Sequence, residues 1–216
     1  MRTLLLVTLL ILLSRDCTAQ ITLPKPAQSG DVSVESALAS RRSLRQFSDS
    51  AVTLQQLSQL LWAAQGLTSS RGNRTAPSAG GLYPLEVYLV VENVSGLAAG
   101  TYRYHPKGHR LSLVSQGHDI QDLASAALKQ SWIANSAVVI VIGAVYSRSM
   151  VKYGIRARRY VHIEVGHVGQ NIYLQAESLG LGATMVGAFD DRMLKRVIGM
   201  RQAETPLGLV PVGIPK

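Results

Sequence analysis

The sequence predicts an α+β domain with helices on both faces of one sheet. Three observations carry this. Ala137–Ala144 (AVVIVIGA) is apolar without alternation and rich in β-branched residues, as in a central strand covered on both sides. Thr101–His105 and Arg110–Val114 flank Pro106-Lys107-Gly108, the signature of a hairpin. Segments of helical and strand period then alternate in the order αα-β-ββ-α-β-α-β-α-β, with no internal repeat.

Taken in order, residues 20–33 carry Pro24, Pro26, Ser29 and Gly30 and read as an irregular lead-in. Val34–Ser40 is amphipathic and predicts a short helix. Thr53 is a helix N-cap with Gln56 three residues on; Leu54, Leu57, Leu60, Leu61 and Ala64 follow at helical spacing, and Gly66 stops the helix. From Gly66 to Pro84 the density of Gly, Ser, Asn and Pro excludes regular structure, and a loop of that length in a compact domain usually carries function. Glu86–Glu92 predicts a strand with Val87, Leu89 and Val91 on one face and Tyr88 and Val90 on the other. Asp119 caps a helix through Leu128. Residues 145–156 read as a loop, and a long helix runs from about Arg158 to Leu179, ending at Gly180. Ala183–Val186 is a short strand, Asp190 and Asp191 cap a helix ending near Gly199, and Leu207–Val212 is the last strand.

The composition bounds the class. The chain has 216 residues, 47% of them hydrophobic and 16% charged, which excludes a disordered chain and a multi-pass membrane protein. Met1-Arg2-Thr3 followed by the apolar run Leu4–Leu13 predicts a secretory signal over residues 1–19, cleaved after Ala19, and hence an exported protein, periplasmic or secreted. That run is too short to span a bilayer, so cleavage leaves no stable membrane anchor; lipidation on Cys17 is the weaker alternative, because Asp16 stands where a lipoprotein signal wants a small residue. It also removes Cys17, the sole cysteine, and with it any disulfide, thiol nucleophile or cysteine-bound metal. The formal net charge of +9 suits an anionic partner. Much of it clusters in residues 41–45 and 148–159, which fits anion pockets, and no nucleic-acid partner is expected.

Arg41-Arg42-Ser43-Leu44-Arg45 packs three guanidinium groups and a hydroxyl into five residues. Planar, permanently charged forks reach two oxygens at once and suit a phosphate monoester. Three cations so close repel one another unless an anion sits among them. A solvated basic turn is the competing interpretation.

This stretch, with Pro77-Ser78-Ala79-Gly80-Gly81-Leu82-Tyr83-Pro84, Gly166-His167-Val168-Gly169-Gln170-Asn171, Gly180-Leu181-Gly182, Gly187-Ala188-Phe189-Asp190-Asp191 and Val210-Pro211-Val212-Gly213, resembles the nitroreductase-family flavoproteins. The nearest branch is the SagB-type dehydrogenases, which include azoline oxidases. The resemblance covers residues 34–216 as one FMN-binding domain. It implies a central, mostly antiparallel sheet flanked by helices, in a domain-entwined homodimer with FMN at the interface. Arg41, Arg42, Ser43 and Arg45 would hold the ribityl phosphate. Pro77, Ser78, Ala79 and Gly80 would lie against the flavin of the partner subunit. Val186, Gly187 and Ala188 would run along the isoalloxazine ring, and Gln130 would meet its pyrimidine edge. Many members carry a basic residue after the last strand; here Lys216 alone is placed for that.

Lys152-Tyr153 matches the acid–base pair of the azoline oxidases, and hydride transfer to a flavin needs a base for the proton the substrate sheds. A basic loop with a packing tyrosine would look the same in sequence. Glu164 and His167 stand at i, i+3, the spacing of a carboxylate–histidine metal pair, but a single such pair falls short of a bundle metal site and no metal is expected. Arg158 and Arg159 offer partners for Glu164. The histidines at 105, 109 and 118 fall at turns and read as surface. The resemblance thus implies an exported FMN-dependent oxidoreductase with ping-pong transfer between a donor and a small-molecule or peptide-like acceptor. Reduced nicotinamides are scarce outside the cytoplasm, so the substrate itself is the expected electron source. A flavin-binding protein without turnover would share the same pocket.

Overall fold

The computed structural model of the chain describes residues 20–117 and 119–216; the expected signal segment, residues 1–19, and His118 lie outside them. In chain order the elements are β1 (Gln20–Thr22), α1 (Val34–Ser40), β2 (Val52–Thr53), α2 (Leu54–Gln65), β3 (Leu85–Val91), β4 (Val94–Ser95), β5 (Gly100–His105), β6 (Arg110–Gln116), α3 (Ile120–Ala126), β7 (Val138–Ala144), α4 (Tyr146–Tyr153), α5 (Ala157–Ser178), β8 (Gly182–Ala183), α6 (Asp191–Ile198) and β9 (Thr205–Gly213). Seven strands form one sheet in the order β1-β6-β5-β3-β7-β9-β8, with every neighbouring pair antiparallel. β2 and β4 make a short parallel pair.

The two-residue period of β3 and β7 sets the layers. Val87, Leu89, Val91, Ile140 and Ile142 point to one face, where Leu57, Leu60 and Leu61 of α2 and Val165, Val168 and Ile172 of α5 cover them. Tyr88, Val90, Val139 and Val141 point to the other, against Ile120 and Leu123 of α3 and Leu194 and Ile198 of α6. β7 is buried along its whole length, as its unbroken apolar run requires.

Local chemistry fixes the helix ends. Thr53 and Gln56 form a reciprocal capping box at α2, and a Cβ at Gly66 would stand 2.2 Å from Trp62 Cδ1, so only glycine fits there. Asp190 Oδ1 accepts the Met193 N–H at 2.8 Å to cap α6. Asp119 does not cap α3. Its carboxylate accepts instead from Thr101 Oγ1 at 3.0 Å and Ser115 Oγ at 3.1 Å, tying α3 to the β5–β6 hairpin.

Three further expectations need correcting. Residues 145–156 are not a loop: α4 and a 3₁₀ turn at Gly154–Arg156 fill them. The helix is charged and amphipathic, and tertiary contacts hold it. Arg148 pairs with Glu86 and donates to the Tyr83 carbonyl at 3.2 Å, and Ser149 is buried. The lead-in is not wholly irregular, because β1 adds an edge strand to β6. The rest of it is pinned across α2: Ala27 N–H donates to Gln59 Oε1 at 2.8 Å, and Ser58 Oγ donates to the Pro24 carbonyl at 2.6 Å. His105 and His109 are half-buried rather than on the surface, and His109 sits in the left-handed region (φ 46°). No helix among the described residues is long and apolar enough to cross a membrane.

Across the interior strands β3 and β5 runs a buried ionic chain. Arg103 Nη2 reaches Glu86 Oε2 at 2.8 Å and Glu204 Oε1 at 3.3 Å, and Tyr88 OH donates to Glu204 Oε2 at 2.7 Å. Burial alone would push the Glu86 carboxyl up, but hydrogen bonds and charge from Arg103 and Arg148 hold it below its ordinary value.

Candidate functional site

The arginine stretch is placed by strand-like pairing. α1 ends at Arg41, whose ψ of 127° leaves the helical region. Ser43 then bridges Ala183 in parallel, the Leu44 N–H donates to the Ala183 carbonyl at 3.1 Å, and Thr184 Oγ1 donates to the Leu44 carbonyl at 2.5 Å. This pairing turns Phe47 into the core and leaves Arg42, Ser43 and Arg45 exposed. The Arg41 guanidinium stands 5.0 Å from the Tyr173 ring centroid, and that of Arg45 stands 5.7 Å from the Trp132 ring. Ser43 Oγ lies 3.0 Å from Tyr173 OH, which accepts the Met185 N–H at 2.7 Å. Arg42 differs from its neighbours: its Nη1 donates to the carbonyls of Ala39 at 3.0 Å and Arg41 at 2.8 Å. Among the described residues none of the three is ion-paired to an acid. The chain's last residues run alongside, with Pro215 bridged to Phe47 and the Lys216 N–H donating to the Gln46 carbonyl at 3.3 Å.

The 186–188 segment and Gln130 join this cluster. Val186 exchanges backbone hydrogen bonds with Leu209 at 2.8 and 2.9 Å, after which Gly187 and Ala188 are exposed and Gly187 faces open space. Gln130 Nε2 donates to the Ala188 carbonyl at 3.1 Å and the Ala127 carbonyl at 2.9 Å, so the glutamine braces the turn that carries Gly187.

A second cluster forms around the 66–84 loop. Ser78 Oγ accepts the Tyr83 N–H at 2.9 Å and closes the turn bearing Ala79 and Gly80, with Pro77 exposed beside it. Gly80 has φ +65°, and a Cβ built on it would lie 2.6 Å from Tyr153 OH and 3.1 Å from Lys152 Nζ. The heads of Lys152 and Tyr153 therefore lie against the Gly80 backbone. Tyr153 stands edge-on to Tyr160 at 5.0 Å, and Lys152 Nζ is 5.4 Å from the Tyr153 ring centroid. Arg148 anchors α4 at its other end, which fixes where this pair is delivered.

α5 separates the two clusters. Tyr160 serves the Lys152–Tyr153 end and Tyr173 the arginine end, roughly 20 Å apart at the helical rise. Sequence reading missed Tyr173, Tyr160 and Arg74, since nothing local marks a tyrosine on a helix as a platform for a distant side chain. Glu164 is turned inward to the 66–84 loop and not toward Arg158 or Arg159, while His167 is exposed. Among the described residues no three of His, Cys, Asp and Glu converge as a metal site. A separate cleft of about 460 Å³ lies between residues 27–34 and helices α1, α2 and α5, and none of the predicted site residues lines it.

The comparisons with known proteins agree on one family. The model of the nitroreductase family matches residues 38–214. A Methanocaldococcus jannaschii protein provisionally named as a nitroreductase, MJ1384, is 45% identical over 196 residues, covering 91% of this chain and 96% of that protein. The microcin B17-processing protein McbC of Escherichia coli is 28% identical over 136 residues, which is 60% of this chain and 49% of McbC. Among solved structures, one from Ralstonia eutropha JMP134, described as a nitroreductase, superposes with a TM-score of 0.79 at 29% identity, covering 91% of this chain and 90% of that one.

Proposed function

This chain belongs to the nitroreductase family, and on that footing we propose that it is an exported, homodimeric FMN-dependent oxidoreductase of the SagB-type branch, moving a hydride equivalent between a donor and a small-molecule or peptide-like acceptor. The observation that carries the proposal is the arginine stretch. Arg41 and Arg45 are held by aromatic rings and not by acids, with the Ser43 hydroxyl between them. That donor set fits a phosphate dianion, whose charge offsets the mutual repulsion of the guanidiniums. If Tyr173 donates to Ser43, the serine proton is left for a phosphate oxygen. Lys216 adds a further cation beside Gln46.

The exposed Gly187–Ala188 backbone, braced by Gln130, suits the flat face of an isoalloxazine, and the absence of a side chain at Gly187 lets a ring approach. Pro77, Ser78, Ala79 and Gly80 of a second copy would cover that ring. When bound, FMN supplies a carrier that accepts or gives up a hydride equivalent. Lys152 is the base or acid for the accompanying proton, and Tyr153, braced by Tyr160, keeps the amine beside Gly80. The name of McbC supports a peptide-like substrate, and the apolar run after Arg2 supports export.

The test is the absorption spectrum of the purified protein, before and after heat release of any chromophore. The parent is expected to be yellow and dimeric. Arg41→Ala with Arg45→Ala is expected to lose flavin while staying dimeric; a double variant as yellow as the parent overturns the phosphate assignment.

A further inference from the structure

Glu164 is an acid where the packing of α5 asks for none. It is 2% exposed, on the helix that fills the core with Val161, Val165 and Val168 and one turn beyond Tyr160. Burial pushes its carboxyl above the ordinary value, opposed by Ser78, by the Arg74 charge and by Gln65. Arg74 is itself anchored: Nη1 donates to Gln65 Oε1 at 2.7 Å, its guanidinium stands 4.4 Å from the Tyr83 ring centroid, and its N–H donates to Tyr83 OH at 3.3 Å. Three parts of the fold therefore meet behind Ser78: α2 through Gln65, α5 through Glu164, and the loop through Arg74 and Tyr83. Glu164 Oε1, Arg74 Nε and Gln65 Nε2 have no hydrogen-bond partner among the described residues. Buried polar groups this incompletely matched are costly, and leucine would fill the space at less expense.

We propose that Glu164 is a positioning residue: through Ser78 it fixes the turn that ends at Tyr83, and so the place where Gly80 meets Lys152 and Tyr153. The inference rests on reading residues 77–80 as the flavin-contacting loop. Ser78 is the link, because its Oγ takes the Tyr83 N–H and its hydroxyl lies beside the Glu164 carboxyl.

The test compares Glu164→Leu, Glu164→Gln and Ser78→Ala with the parent by two measurements. The first is hydrogen exchange of the Tyr83 amide in flavin-free protein; the second is FMN affinity with the spectrum of the bound flavin. Glu164→Leu is expected to speed that exchange about tenfold, weaken FMN by a similar factor and shift the flavin band, as losing a buried partner should. Glu164→Gln keeps a hydrogen-bonding head and is expected to stay within about threefold of the parent in both. Ser78→Ala is expected to reproduce the exchange effect. A leucine variant with the parent's exchange and spectrum overturns the proposal, and so does a glutamine variant as impaired as leucine. If the leucine variant does not fold, Glu164→Ala takes its place, and parental exchange of the Tyr83 amide in that variant overturns the proposal. A parent that binds no flavin would sink the flavin reading, while the exchange comparison would still judge Glu164.

Discussion

Replacing Gly80 with alanine separates the stability of the loop from its role at the site. At φ +65° an L-residue costs roughly 1–2 kcal/mol relative to glycine. For a chain of this size that lowers Tm by about 2–4 °C per kcal/mol. The new Cβ would stand 2.6 Å from Tyr153 OH and 3.1 Å from Lys152 Nζ, and ordinary contact begins at 3.4 Å. Both atoms are the ends of flexible side chains, so they swing aside cheaply, by roughly 1 Å. That is the displacement at which a catalytic group loses about a hundredfold in rate. Gly81→Ala is the control: the same φ of +65°, but no atom within 4 Å of its Cβ. Both variants are expected to melt a few degrees early, and turnover is compared per bound flavin. Only Gly80→Ala should lose turnover, measured as reoxidation of photoreduced protein by quinones and nitroaromatics. Equal turnover in the two variants would refute the placement of Lys152 and Tyr153 at the reacting centre.

Two further outcomes concern the fold. Ser58 donates to the Pro24 carbonyl, so it accepts from His109 Nε2 at 2.6 Å, and Nδ1 is left to accept from Tyr104 OH at 2.9 Å, a neutral imidazole. Burial keeps its pKa below the ordinary value, so the unfolded chain takes up a proton near pH 6.5 before the folded one does, and stability should fall as pH drops from about 7.5 to 5.5. His105 shifts in the same direction, by burial and then by Arg103, so His109→Gln should flatten the pH dependence of the urea midpoint without abolishing it; an unchanged slope contradicts this. Tyr88→Phe removes the donor to Glu204 and should cost about 1–3 kcal/mol. Its flavin content should match the parent's, because the bond lost is to Glu204 and not to a candidate site residue.

Most of the fold was legible because period and burial agree. The unbroken apolar run of β7, the alternation of β3 and the Thr53–Gln56 box each need only neighbours in sequence to be read. α4 was not, because what holds it is Arg148 on Glu86, a pairing across 62 positions in a segment whose own composition is polar. The same limit applied to the site. Residue type marked Arg41, Ser43 and Arg45 as anion ligands, but the Tyr173 and Trp132 platforms come from elements more than eighty residues away. Glu164 was visible as an acid beside a histidine at helical spacing. Its direction depends on which helix face meets the 66–84 loop, which sequence does not state.

The distance along α5 makes a further demand. One chain holds the arginine cluster at Tyr173 and the Lys152–Tyr153 cluster at Tyr160, roughly 20 Å apart, too far for one flavin ring to touch both within that chain. If the two work on the same molecule, the second must come from another copy, and a two-fold interface then makes two equal sites, each with one half from each chain. Mixing two inactive proteins tests this. Arg41→Ala with Arg45→Ala spoils only the first half, and Lys152→Ala only the second. After unfolding and refolding together, half the dimers are hybrids, and each hybrid holds one site with both lesions and one with neither. About one quarter of parental turnover should return. A site contained within one chain gives none, since every chain in the mixture carries a lesion.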